Sequence, residues 1–214
     1  MRLPDGPSSG RRGEAARNDG RILDAAREVF RTDPDAPVAA VASRAGVGIS
    51  ALYRRYENKE DLLRALARDA LTRYIADLTD ALADDRDPWT VYSDCLMRIV
   101  DGRSQALAQR LAGRFTPTPD LGELAQRAAT LADQLHQRAI RQEALRPDVT
   151  PADIVLILEM ITLLSAPGPD DGAALRRRYL GLVLQALRAP GAGPLPGPAA
   201  QAADMIARWR ARRD

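Results

Sequence analysis

With 214 residues, 45% of them hydrophobic but only 4% aromatic, the chain can bury a substantial core, and its Ala- and Leu-rich apolar content favours helices over a sheet-rich fold. A formal net charge of +2 means that any surface for nucleic acid must be local. A single cysteine, Cys95, and a single histidine, His136, exclude an intramolecular disulfide framework and a cysteine-cluster zinc site, and leave little for a His-based metal site or a conventional triad.

The N-terminus lacks an apolar run like that of a signal peptide, and no stretch of eighteen apolar residues occurs, so the expectation is a soluble cytoplasmic protein with no membrane partner. Residues 1–16 mix Gly, Pro, Ser and charge and read as a flexible arm. Helical pattern is predicted from Asn18 or Asp19, either a good N-cap, through Ile22, Leu23, Ala26, Val29 and Phe30. It ends at TDPDAP (32–37), and Pro37 suits the first turn of the next helix, 38–45. Gly46 breaks that helix, Ile49 to Tyr56 make another, and Asn58 caps a long one over 59–83.

Further helices follow. One opens at Pro88 with Trp89, Tyr92, Leu96 and Ile99 on one stripe, and a shorter one covers about 104–114. Leu121, Leu124, Ala128, Leu131 and Leu135 then recur at three and four residues. DIVLILEMITLLS (153–165) is apolar nearly all round and must be covered on more than one side. Residues 173–188 form another helix, 189–199 read as a Pro/Gly linker, and a last amphipathic segment groups Met205, Ile206 and Trp209. The expected fold is all-α: an arm (1–16), a small three-helix domain (17–64), a larger helical domain (65–190), and a linker with a C-terminal helix (191–214).

AGVGISALYRRYENKE (45–60) is the stretch most charged with meaning. A helix-turn-helix needs a small residue where its helices cross, here Ala42, and a turn residue at ease with positive φ, here Gly46. It also needs apolar flanks, here Val41, Ala45, Val47 and Leu52. Such a unit holds its second helix rigidly enough to enter the major groove of DNA. RILDAAREVF followed by VAAVASRAGVGISALYRRYENKEDLLRAL resembles the N-terminal domain of the TetR family of transcriptional regulators, over about residues 20–64. The AGV, the LY pair, an aromatic at Tyr56 and the KE with Leu62 match in register.

The resemblance implies that residues at and around Ser50 read base edges while Tyr53, Arg55 and Lys59 hold phosphates. Pro37, Val38, Gly48, Ile49, Ala51 and Arg54 complete the expected DNA-binding set. Gly48 and Ala51 replace a serine and a threonine of the family pattern, so two hydroxyls are missing, and Arg54 with Arg55 could supply the lost contacts. The blander alternatives are a partly buried Tyr53 sealing the small domain, and solvated arginines. Lys59, the only lysine, stands as a cation at a helix N-terminus, where the macrodipole does not favour it. Its ammonium and the free N–H groups of that helix end could converge on one phosphate.

For the larger domain the resemblance implies an effector pocket walled by the helices from 88 to 140. The candidates are Trp89, Tyr92, Cys95, Leu96, Phe115, Leu131, Leu135 and His136, although from the residues alone Cys95 reads first as a core filler and His136 as a structural or exposed residue. It also implies a homodimer through the last two bundle helices, with Ile157, Ile161, Leu164, Tyr179, Leu180, Val183 and Leu184 at the interface. The function expected is a regulator that binds double-stranded operator DNA, a repressor released by a small-molecule effector, with an activator as the alternative. An enzyme with a helical head is the reading from another class. Against it, no recognised catalytic motif or glycine-rich phosphate loop is present, and no cofactor or metal site is expected.

Overall fold

A computed structural model describes residues 8–102, 114–164, 171–191 and 193–201. Among them are eight helices: α1 (Ser8–Thr32), α2 (Val38–Ala45), α3 (Ile49–Arg55), α4 (Lys59–Ala83), α5 (Pro88–Gly102), α6 (Pro119–Arg141), α7 (Pro151–Thr162) and α8 (Asp171–Leu187). The fold is all-α, with one isolated antiparallel bridge between Leu145 and Arg188. The chain divides into two compact units, Met1–Leu66 and Ala67–Asp214, a boundary two residues past the expected one and within α4. None of the described helices is long and apolar enough to cross a membrane.

In the first unit α1 begins at Ser8, not at Asn18 or Asp19, so half of the expected arm is helical. No proline interrupts residues 8–32, and Ala, Arg and Glu there outweigh three glycines. Pro37 is the N-cap of α2, with φ −69° and ψ 151°, and the helix covers the expected residues 38–45. Gly46 ends α2 in the left-handed region at φ 64°, the conformation expected of it. Phe30, Ala26, Val41, Ala42, Ala45, Leu52, Tyr56, Leu62 and Leu66 are buried and form the core. Asn58 caps α4 by accepting from the Asp61 amide at 2.9 Å.

The second unit is built on a larger apolar core. Leu78, Val91, Tyr92, Cys95, Leu96, Ile99, Leu135, Leu145, Leu158, Ile161, Leu180 and Leu184 are among its buried members. Thr150 and Asp153 form a capping box that starts α7. The segment predicted as a linker is fastened to this unit through residue 200. Arg146, buried, pairs with Asp148 and donates to Ala186 O (3.4 Å) and Gly193 O (2.5 Å). Asp148 accepts from the Leu195 amide at 3.3 Å and Asp153 from the Ala200 amide at 3.1 Å. A Cβ on Gly191 would stand 2.7 Å from Arg146 Cζ. The expected helix at 104–114 falls almost wholly, and the segment with Met205, Ile206 and Trp209 wholly, outside the described residues.

Candidate nucleic-acid interface

The helix-turn-helix follows from local sequence. α2 and α3 have 8 and 7 residues, too short to persist alone, so tertiary contacts must hold them. Val41, Ala42, Ala45 and Leu52 are buried and Val47 half-buried, as the motif requires. The Gly46 and Val47 amides close the turn on Ser43 O and Ala42 O at 3.2 and 3.0 Å. From α1, Arg21 Nη2 donates to Ala45 O at 2.7 Å, satisfying a carbonyl at the C-terminus of α2. Arg44 pairs with Glu28, a second link between the same helices.

What these links leave outward is one face of α3. Ile49, Ser50, Tyr53, Arg54 and Arg55 are exposed, and Ala51 is half-buried. Tyr53, at 48% exposure, does not seal the domain; Tyr56, three residues on, does that and is buried. Pro37 and Gly48, the N-caps of α2 and α3, offer no side-chain hydrogen bond, so the first amides of both helices lack a side-chain cap.

The cations separate into two kinds. Arg54 is exposed and makes no ion pair or side-chain hydrogen bond among the described residues. Arg55 is committed: its Nε lies 2.8 and 2.9 Å from the two Asp19 carboxylate oxygens and Nη2 lies 2.7 Å from Oδ2. That hydrogen bond and charge raise the guanidinium pKa. Lys59 is half-buried; its Nζ donates to Asp35 O and Ala36 O, both at 2.9 Å, and lies 5.3 Å from the centroid of the Phe30 ring. The ammonium expected to face solvent or phosphate is turned onto the connection that leads into α2. Asp19, predicted only as a helix cap, is a partner of the interface that spacing alone did not reveal.

In the second unit the candidate pocket residues divide likewise. Tyr92, Cys95, Leu96, Leu135 and His136 are buried, whereas Trp89, Phe115 and Leu131 are half-buried. His136 is a core residue: Nε2 donates to Val149 O at 2.9 Å, which leaves Nδ1 to accept from the Tyr92 hydroxyl at 3.0 Å. Burial lowers the imidazole pKa and raises the Tyr92 hydroxyl, and it pushes the Cys95 thiol up to about 12, so that sulfur is not a reactive thiolate. Trp89 is tilted against Tyr92 with ring centroids 6.5 Å apart, and the Arg188 guanidinium carbon lies over the Trp89 ring, 5.8 Å from its centroid.

Three expected interface residues, Ile161, Leu180 and Leu184, are buried in the core of their own unit, because they occupy the inward stripe of α7 and α8. The outward residues are Met160 (61% exposed), Leu163 (62%), Tyr179 (46%) and Leu182 (56%), with Ile157, Leu164 and Val183 half-buried. Of these four, Tyr179 is among the interface residues that the resemblance implies. An apolar helix does not announce in sequence which of its sides is covered.

This arrangement resembles that of known regulators. The family described as bacterial regulatory proteins, tetR family, matches residues 22–66. The HTH-type transcriptional repressor LfrR of Mycolicibacterium smegmatis is 40% identical over 79 residues, which are 37% of this chain and 39% of that protein, so the chain matches about two fifths of the length of this curated relative. The crystal structure of a TetR transcriptional regulator from Streptomyces coelicolor is 30% identical with a TM-score of 0.55, covering 79% of this chain and 98% of that one. A TetR transcription regulatory protein from Mycobacterium vanbaalenii is 25% identical with a TM-score of 0.54, over 83% and 98% of the two chains.

Proposed function

The chain belongs to the TetR family of bacterial transcriptional regulators, and from that premise we propose that it represses transcription by binding operator DNA as a homodimer and lets go when a small molecule binds its larger unit. The observation that carries the reading is the outward face of α3. Ser50, Tyr53 and Arg54 stand exposed on a helix whose turn and neighbours are tied by named bonds. A rigid helix presenting a hydroxyl, a phenol and a guanidinium can reach base edges and phosphates in the major groove. Ile49 offers apolar contact to a thymine methyl, and Pro37, Gly48 and Ala51 are small or end-of-helix residues that let phosphates come close to the backbone. Val38, expected in the same set, is buried in the core because it starts the inward stripe of α2.

Binding of the full chain to the duplex upstream of its own gene, followed by fluorescence anisotropy, tests this directly. The expected result is tighter binding there than to an unrelated duplex of equal length. Equal affinity for both would end the repressor reading.

Assembly rests on the outward apolar residues of α7 and α8. Met160, Leu163, Tyr179 and Leu182 are exposed large apolar residues of the kind a two-fold dimer buries. Light scattering is expected to give twice the 23.3 kDa chain mass, and Leu182→Arg to return it to one. A wild-type chain of single mass at micromolar concentration would refute the dimer.

An apolar or aromatic effector is assigned to the surroundings of Trp89, Phe115, Leu131 and Leu135. It must couple to operator binding by roughly 1–3 kcal/mol. By reciprocity the operator weakens effector binding by the same factor, which calorimetry with and without DNA can measure.

A further inference from the structure

We propose that the three basic residues at the end of the helix-turn-helix divide their work: Arg54 alone neutralises DNA phosphate, Lys59 positions α2, and Asp19 withholds Arg55 from the DNA. This rests on the DNA-binding reading above and goes beyond it, since motif resemblance assigns Arg55 and Lys59 to phosphates.

Lys59 has three N–H donors, and two already end on Asp35 O and Ala36 O at 2.9 Å. Those carbonyls belong to the connection that delivers Pro37 to the start of α2. Pro37 caps α2 with no side-chain hydrogen bond, so the connection, together with the buried Val38, sets where the helix begins. The ammonium also faces the Phe30 ring at 5.3 Å, in the core of the unit. Turning Lys59 to a phosphate would break two charge-assisted bonds and strip that ring of its cation. It acts through α2 and is a positioning residue.

Arg55 is held by geometry of a different kind. A planar guanidinium meets both oxygens of Asp19, with contacts of 2.7, 2.8 and 2.9 Å. A phosphate approaching Arg55 meets the Asp19 carboxylate already there, and the pair together carries no net charge. Such a pair displaces no counterion when DNA arrives, whereas Arg54, with no partner among the described residues, displaces one.

The experiment is a salt series of anisotropy titrations on the full chain, with its own upstream duplex and an unrelated one. Arg54→Gln is expected to lower the slope of log K against log salt by about one unit on both duplexes. Lys59→Gln is expected to leave the slope unchanged while weakening the upstream duplex more than the unrelated one. Asp19→Asn frees Arg55, so it is expected to steepen the slope by about one unit and to tighten the unrelated duplex several-fold at low salt. A Lys59→Gln slope lower by about one unit, or an Asp19→Asn slope equal to wild type, overturns the proposal. If Lys59→Gln fails to fold, the Asp19→Asn variant, at a half-buried position on α1, still decides. A wild-type chain that binds neither duplex overturns the DNA-binding reading itself, a result distinct from either of these.

Discussion

In the first unit the junctions between elements are made by charged side chains ending on backbone carbonyls or carboxylates: Arg21 on Ala45 O, Arg44 on Glu28, Arg55 on Asp19 and Lys59 on Asp35 O and Ala36 O. In the second unit leucine, isoleucine and valine carry most of the task in whole buried stripes. The charged links it also has, such as Arg138 on Leu82 O, Arg146 on Ala186 O and Arg176 on Leu164 O, supplement them beside the buried polar chain from Tyr92 to His136 to Val149. The difference follows from helix length. Helices of 8 and 7 residues bury only a few side chains each, so polar links at their ends must complete what packing begins. Helices of 23 and 25 residues present whole stripes and can be held by burial. A surface that must keep an exact shape toward a ligand is thus fixed by directional bonds, and a bundle that must stay together is fixed by area.

The largest test of this contrast is Phe30→Ala. If the small core still matters beneath the polar links, it costs about 3–5 kcal/mol in chemical denaturation. A cost under about 1 kcal/mol would mean that the charged links hold the first unit by themselves.

Next comes His136→Leu, which leaves the Val149 carbonyl and the Tyr92 hydroxyl without partners and should cost about 1–3 kcal/mol at neutral pH. Its pH dependence has a definite sign. Burial lowers the folded-state pKa of His136, so below about 6.5 the unfolded chain takes up a proton that the folded chain refuses. The stability contributed is complete above that pH and falls as pH drops toward the lowered folded value. Urea midpoints from pH 7.5 down to about 5 should decline in wild type and decline less in the Leu variant; parallel curves would show that the buried chain is electrostatically idle.

The smallest expected effect is that of Gly46→Ala. The left-handed φ of 64° costs an alanine about 1 kcal/mol, and its Cβ would lie 3.0 Å from Arg21 Nη2. Thermal melting unchanged by this substitution would show that the turn is looser than its bonds to α1 require.

How much of this could be read from sequence depended on separation along the chain. The turn at Gly46, the buried Val41, Ala42, Ala45 and Leu52, and the Asn58 cap are decided by neighbours a few residues away, so spacing sufficed. Arg55 and Asp19 are 36 residues apart and Lys59 is 24 from Asp35; both were visible as residues and invisible as partners. The start of α1 was misplaced because Gly, Ser and charge suggest a coil, while the unbroken run without proline permits a helix. On α7 nearly every side looked apolar, and only the packing of Ile161 inward shows that Met160 and Leu163 face out; on α8 the inward Leu180 and Leu184 leave Tyr179 and Leu182 outside.

The strap after α8 constrains inheritance at two distant positions at once. Arg146 cannot retreat from a Cβ at position 191, because its guanidinium is held by Asp148, Ala186 O and Gly193 O. A lineage that acquires a side chain at 191 must therefore also shorten 146, and Asp148 then loses the partner that positions it to receive the Leu195 amide. Among related sequences, glycine at 191 and arginine at 146 should be kept or lost together, even though the glycine-rich stretch around 191 looks free to drift.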